Sequence, residues 1–282
     1  MDPYMEIVAD GGDRMLPSLS RRLSPEEVTM NLTMCGLLVE RAEDLVRLYN
    51  EHETWNEVKE VWFEERLANR STRGSSQKIY SVLSSRFKNA PASLPNPGDL
   101  PAVLDDCATT RDKSQVLYFY LVADDALFRY VLHEYVNRAV VESKTTIDFS
   151  NETLLDILHD LEYSDGTEFS YADSTTKRWC EGFRSVMREI GVLENQQATV
   201  GSPPSLGDIP LLVATGYSYE TGGEDWIDAP AGLCYLFQPQ SRWEELYDRV
   251  AALEPWEFIE LHGDLKLQPT NSTYAWIDGG DN

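Results

Sequence analysis

The stretch Arg66-Leu67-Ala68-Asn69-Arg70-Ser71-Thr72-Arg73-Gly74-Ser75-Ser76-Gln77-Lys78-Ile79-Tyr80-Ser81-Val82-Leu83-Ser84-Ser85-Arg86-Phe87-Lys88 carries six cations and no carboxylate. The acid-free interval continues to Gly98, 33 residues in a chain where roughly one residue in six is Asp or Glu. Upstream, Thr54 caps a helix carrying Trp55, Val58, Trp62 and Leu67, read as reaching Arg70. Ser71–Ser76 is a polar turn, and a further helix over about Ser76–Lys88 buries Ile79, Val82, Leu83 and Phe87. The pattern is helix–turn–helix. Readers of that kind set the amino-terminal end of the second helix in the major groove, and here that end presents Ser75, Ser76, Gln77 and Lys78. Gln pairs with adenine and Lys with guanine. Arg66, Arg70 and Arg73, with Arg86 and Lys88 further along, would hold phosphates beside the exposed N–H groups of the helix start. The competing readings are a surface for an acidic partner protein and a solvated polar face.

Working outward, residues 1–24 read as a flexible lead-in and residues 25–90 as the helix-turn-helix-like unit, opened by a helix start at Ser24-Pro25-Glu26-Glu27. Residues 91–100 are a Pro-rich linker. Residues 101–194 form a helical domain, with long helices over Lys113–Ala123 and Asp125–Val141, another over Thr153–Leu161, and one from Asp173 to Ile190 that Gly191 ends. A second linker covers 195–207. A small α+β part covers 208–270, with Leu211–Ala214 as helix or strand, an acidic loop around Glu224-Asp225, and a hairpin Phe258–Leu267 around a Gly-Asp turn. That hairpin is expected to act as the wing of a winged helix, and residues 271–282 as a flexible tail.

The formal net charge is −24, from 48 Asp+Glu against 24 Lys+Arg, and the cations are 17 Arg and only 7 Lys. Such acidity ordinarily disfavours nucleic acid. Scarce Lys beside abundant carboxylates fits a chain kept soluble in concentrated salt, where screening lengths fall to about 3 Å, and net charge then loses its power to exclude DNA. The longest apolar run, Val116–Ala123, has eight residues, far short of the roughly 20 that span a bilayer, so no membrane partner and a cytoplasmic place are expected. Arg21-Arg22 lacks the apolar stretch of an export signal, since Ser24-Pro25-Glu26-Glu27 follows. Cys35, Cys107, Cys180 and Cys234 stand far apart and form no CxxC pair, which points to buried thiols rather than zinc or a redox couple.

No phosphate-binding glycine loop is present, and His133-Glu134 lacks the second His of a metalloprotease helix because Asn137 stands there. His52, His133, His159 and His262 do not cluster in the sequence. The pairs Asp105-Asp106 and Asp124-Asp125 leave a metal-dependent nuclease as a remote alternative. No enzyme, cofactor or metal is expected. A weaker cationic cluster, Lys177, Arg178, Arg184 and Arg188, is interleaved with Glu181 and Glu189. It is a secondary nucleic-acid candidate, against the reading of a salt-bridged solvated helix.

Three stretches are similar to one known family. Leu32-Thr33-Met34-Cys35-Gly36-Leu37-Leu38-Val39-Glu40 resembles the amino-terminal entry of BrxA, a component of BREX (bacteriophage exclusion) defence systems. Trp55–Phe87, through Asn69-Arg70-Ser71-Thr72-Arg73-Gly74-Ser75-Ser76, resembles that family's most recognisable stretch, and Ser174-Thr175-Thr176-Lys177-Arg178 leading to Glu189-Ile190-Gly191-Val192-Leu193 its second. The likeness covers about residues 30–195. It implies a small, largely helical, non-enzymatic DNA-binding accessory protein, encoded beside a methyltransferase, an ATPase and a phosphatase-like partner. It defines no base-contacting residues; those named above rest on charge and spacing. The expectation is therefore a mainly α chain that contacts double-stranded DNA in an antiviral BREX assembly, or else a scaffold of that assembly with no DNA contact.

Overall fold

The computed structural model describes residues 23–141, 146–223, 226–253, 255–261 and 264–277. The expected lead-in before Leu23, the acidic pair Glu224-Asp225, the hairpin tip His262-Gly263 and the last five residues of the expected tail lie outside the described residues. The chain is mainly helical. Its elements run α1 (Val39–His52), α2 (Trp55–Glu64), α3 (Arg73–Lys88), α4 (Leu100–Asp105), α5 (Thr110–Asp124), α6 (Ala126–Val141), β1 (Ile147–Asp148), α7 (Asn151–His159), α8 (Asp173–Glu189), β2 (Val200–Gly201), α9 (Asp208–Gly222), α10 (Ala231–Tyr235), α11 (Trp243–Ala251), β3 (Trp256–Leu261) and β4 (Asp264–Pro269).

The amino-terminal unit keeps the expected Thr54 cap and the end of α3 at Lys88 but differs from expectation at other boundaries. Ser24-Pro25-Glu26-Glu27 forms a capping box, but on a single 3-10 turn rather than a helix. The helix begins at Val39, after Leu38 in the left-handed region. α2, capped by Thr54, stops at Glu64 instead of Arg70, because Arg66 and Asn69 take positive φ values of 56° and 47°. Two such residues cannot continue a right-handed helix. α3 then starts at Arg73 rather than near Ser76, because the Thr72 hydroxyl accepts from the Ser75 N–H at 3.3 Å. The connection Glu65–Thr72 is longer than the roughly three- to four-residue turn of a DNA-binding helix pair. It is nonetheless fixed: Ala68 is buried and its carbonyl accepts from Arg41 Nε at 3.2 Å. α3 packs on α2 through Tyr80, whose ring lies 6.0 Å from Trp62 and 5.7 Å from Phe63, and on α5 through Phe87 against Tyr120 at 5.3 Å.

α5 is the central element, buried from Ser114 to Val122. It packs against α3, α6, α8 and α9. The apolar side chains from Leu23 to Leu267 join in one buried cluster around it. Both presumed linkers belong to that packing. In the Pro-rich stretch Leu94 and Pro95 are buried, and the Pro95 carbonyl accepts from Tyr120 Oη at 2.6 Å. In the second stretch β2 pairs antiparallel with β1, and the Ser205 carbonyl accepts from the buried Gln115 at 3.0 Å. Tyr274, expected in a loose tail, donates its hydroxyl to the Ser93 carbonyl at 2.7 Å.

Leu211–Ala214 is helical, as the buried middle of α9. α8 runs close to the expected bounds, followed by Gly191 at φ 87°. β3 and β4 form the expected hairpin, with Phe258 opposite Leu267. β3 packs on α11, and Trp256 meets Tyr219 and Trp226 edge to face or tilted, with centroids 5.6 and 6.1 Å apart. That seating ties the hairpin to the carboxy-terminal helices α9 and α11. No described helix is long and apolar enough to cross a membrane.

Candidate nucleic-acid interface

Local conformation builds the cationic surface. The two left-handed residues of the connection and the Thr72 cap bring Arg66, Arg70, Arg73, Gln77 and Lys78 to the surface around the start of α3, with Ser75 and Ser76 half-buried beside them. The first-turn N–H groups of Arg73 and Gly74 have no acceptor within the helix, as at any helix start. A Cβ built on Gly74 would meet nothing within 4 Å, so the backbone there is open to close approach.

The four charged side chains of this end are free. Elsewhere four cations are held in ion pairs: Arg47 pairs with Glu43 and Asp105, Lys113 with Glu43, Arg242 with Glu245 and Arg249 with Asp208. Arg66, Arg70, Arg73 and Lys78 form no ion pair or side-chain hydrogen bond with a described residue. In a chain of net charge −24, these cations, which from Arg66 to Gly98 have no acid among them in the sequence, form a local positive field at the start of α3.

Two expected members of the set do not join it. Arg86 is only 3% exposed. Its guanidinium donates to the carbonyls of Gly36 at 2.7 Å and Cys35 at 3.0 Å, and no phosphate can reach it. Its charge is answered from inside by Asp124, Asp125 and Glu189. Burial raises the pKa of each of these carboxyls, to about 6 for Asp125, against the pull of Arg86. Lys88 is exposed but lies at the far end of α3, about 20 Å from Arg73 by helical rise. Its ammonium stands over the rings of Trp55 at 5.1 Å and Tyr80 at 5.9 Å, a cation–π contact within the fold.

The secondary cluster sits on α8. Gly182 lets α8 press on the Asn31–Thr33 turn, where a Cβ would stand 2.3 Å from the Leu32 carbonyl oxygen. Beside this crossing Arg178, Arg184 and Arg188 line a groove of about 600 Å³, together with Thr33, Asn151 and Gln196. Arg184 donates to the Ala198 carbonyl at 2.9 Å and reaches Gln196 and Asn151. Arg178 and Arg188 have no ion pair with a described residue, so the expected salt-bridging of this helix is not what holds them. Lys177 is exposed. The sequence pattern placed these cations on one helix; the contributions of α7 and residues 196–198 are tertiary and carried no local signal.

Three of the four aspartates behind the remote catalytic reading have structural partners. Asp105 is paired with Arg47, Asp124 accepts from Ser85 at 3.1 Å, and Asp125 caps α6 through the Phe128 N–H at 2.9 Å. Among the described residues no group of three His, Cys, Asp or Glu could hold a metal ion. Cys35, Cys180 and Cys234 are buried and Cys107 half-buried, all free thiols, and burial raises each pKa, to about 12 for the last three.

Comparison with known proteins places this geometry. The fold is similar to a crystal structure of an uncharacterized protein from Magnetospirillum magneticum, with a TM-score of 0.56 at 13% identity over 73% of this chain and 99% of that one. No curated protein matches the chain. The family model for BrxA matches residues 27–206, which takes in the cationic end of α3, the Arg86 site and the whole α8 groove. The chain belongs to the BrxA family, a component family of BREX defence systems.

Proposed function

We propose that the chain is the DNA-contacting, non-catalytic member of a BREX assembly, acting in the cytoplasm against invading phage. Arg66, Arg70, Arg73 and Lys78 hold phosphates of double-stranded DNA, the open N–H groups at Arg73 and Gly74 add to that grip, and Ser75, Ser76 and Gln77 lie nearest the base edges. The observation that carries this reading is the set of unpaired cations at the acid-free start of α3, in a chain that pairs Arg47, Lys113, Arg242 and Arg249 elsewhere. Cations without acid partners, beside a capped helix start, suit an oxyanion supplied from outside. The acidic remainder suits work in concentrated salt, where it repels DNA little. The methyltransferase, ATPase and phosphatase-like members of the system are the partners, and the chemistry belongs to them.

The reading is tested by gel retardation of a labelled duplex with the full chain and with Arg70→Glu/Arg73→Glu. Retardation by the wild type and none by the variant supports it. A folded wild type that retards no duplex at any salt concentration transfers the surface to a partner protein.

A further inference from the structure

The α8 groove differs from the α3 surface in three respects. It is concave, about 600 Å³, with the amide side chains of Asn151 and Gln196 in its wall. It includes Glu181 among its lining residues, an acceptor that a phosphate, which brings no donor, cannot satisfy, while a peptide brings N–H groups for Glu181, Asn151 and Gln196 together. Three exposed apolar side chains also stand near its lining residues or α8 in the sequence. The large exposed apolar side chains among the described residues are Met34 at 44%, Tyr171 at 40% and Val200 at 55%. Met34 follows the lining residue Thr33, Tyr171 precedes the first turn of α8, and Val200 stands two residues beyond Ala198, whose carbonyl Arg184 binds. Arginine flanked by Met and an aromatic is the composition of a protein–protein interface centre. The start of α3 has no such apolar neighbour.

Within the groove the arginines divide their work. Arg184 is committed to Ala198, Gln196 and Asn151 and shapes the wall. Arg178 and Arg188 offer planar forks that match carboxylates two bonds at a time. Arg188 is half-buried beside Arg184, and burial first and then that like charge disfavour its own charge, with Glu189 opposing them.

We propose that the α8 groove docks an acidic segment of a partner protein, its carboxylates held by Arg178 and Arg188 and an adjoining apolar side chain seated against Met34, Tyr171 or Val200. The surface is separate from the α3 surface, and the proposal stands whether or not α3 binds DNA.

The test titrates the full chain against two fluorescent probes: a short peptide of repeating Glu-Leu-Asp, and a duplex DNA. A control peptide carries Gln and Asn in place of the acids. The variants are Arg178→Glu/Arg188→Gln and, because Arg188 is partly buried, the exposed pair Met34→Ser/Val200→Ser, each with its thermal melt. The expected result is binding of the acidic peptide over its amide control, weakened on the order of tenfold or more by both variants, with duplex affinity unchanged. No preference for the acidic peptide overturns the proposal. So does a loss of duplex affinity in both variants equal to that of Arg70→Glu/Arg73→Glu, which would make the groove part of a nucleic-acid surface.

Discussion

Arg86 donates to the Gly36 carbonyl at 2.7 Å from within the core, 50 residues away in sequence. One cation of the acid-free segment thus ties α3 to the chain entering α1, with Glu189 of α8 close by: its carboxylate oxygen would lie 3.4 Å from a Cβ on Gly36. Arg86→Met leaves two carbonyls without their donor and removes the positive charge that Asp124, Asp125 and Glu189 face. The expected loss is about 3–5 kcal/mol, read as a lowered urea midpoint. Arg86→Lys recovers only part, since one ammonium cannot reproduce the fork. A variant as stable as the wild type would contradict the role.

Gly74 separates stability from binding. Its neighbourhood is empty and its φ is not positive, so Gly74→Ala should stabilise the fold by about 0.4–1 kcal/mol through the unfolded chain. The added methyl stands where a phosphate would approach the helix start, so duplex affinity should fall while the melting temperature rises. A rise in both would place the DNA elsewhere on the helix.

Tyr120 and Pro95 test whether the Pro-rich stretch is part of the fold. Tyr120→Phe removes the 2.6 Å bond and leaves a buried carbonyl unmet, at about 1–3 kcal/mol. Local hydrogen exchange at residues 93–100 should quicken with it. An unchanged denaturation midpoint would mean that the stretch is merely draped on the surface.

His133 and Asp125 give stability a pH dependence of opposed signs. Burial, with Arg129 adding, lowers the pKa of His133 from 6.5 to about 4, and its Nε2 bonds the hydroxyl of Tyr235. Between those values the unfolded chain takes up a proton that the folded chain refuses. Stability is therefore lost as pH falls through that window, by up to about 3 kcal/mol. Burial, with Asp124 adding, raises Asp125 from 3.8 to about 6, so there the folded chain holds the proton and stability grows as pH falls. His133→Gln removes only the first effect. Between pH 7 and 4 the variant should lose less stability than the wild type, measured by urea midpoints. Parallel curves would show that His133 titrates as in the unfolded chain.

Elements with regular apolar spacing were legible from the sequence: α5, α6, α8 and the β3–β4 hairpin fall close to where periodicity and caps put them. Boundaries set by backbone conformation were not. Asn takes positive φ more readily than most residues, but Arg does not, and the φ of 56° at Arg66 ends α2 short of the expected Arg70. The Pro-rich stretch reads as a linker by composition, yet Tyr120 and Tyr274 secure it from 25 and 181 residues away. Arg86 could have been placed better: it follows Ile79, Val82 and Leu83 by seven, four and three residues, on the buried face of α3. The α8 groove was half visible, as three arginines on one helix, while its other wall depends on the crossing at Gly182 and on residues 196–198.

The most direct measurement is fluorescence anisotropy of a labelled duplex titrated with the full chain, from low to molar potassium chloride, beside Arg70→Glu/Arg73→Glu. With four cations engaged, the logarithm of the binding constant should fall with that of salt at a slope of about −3 to −4, and the variant should bind with lower affinity and a shallower slope. A variant that matches the wild type in affinity and slope would contradict the assignment of DNA to the start of α3.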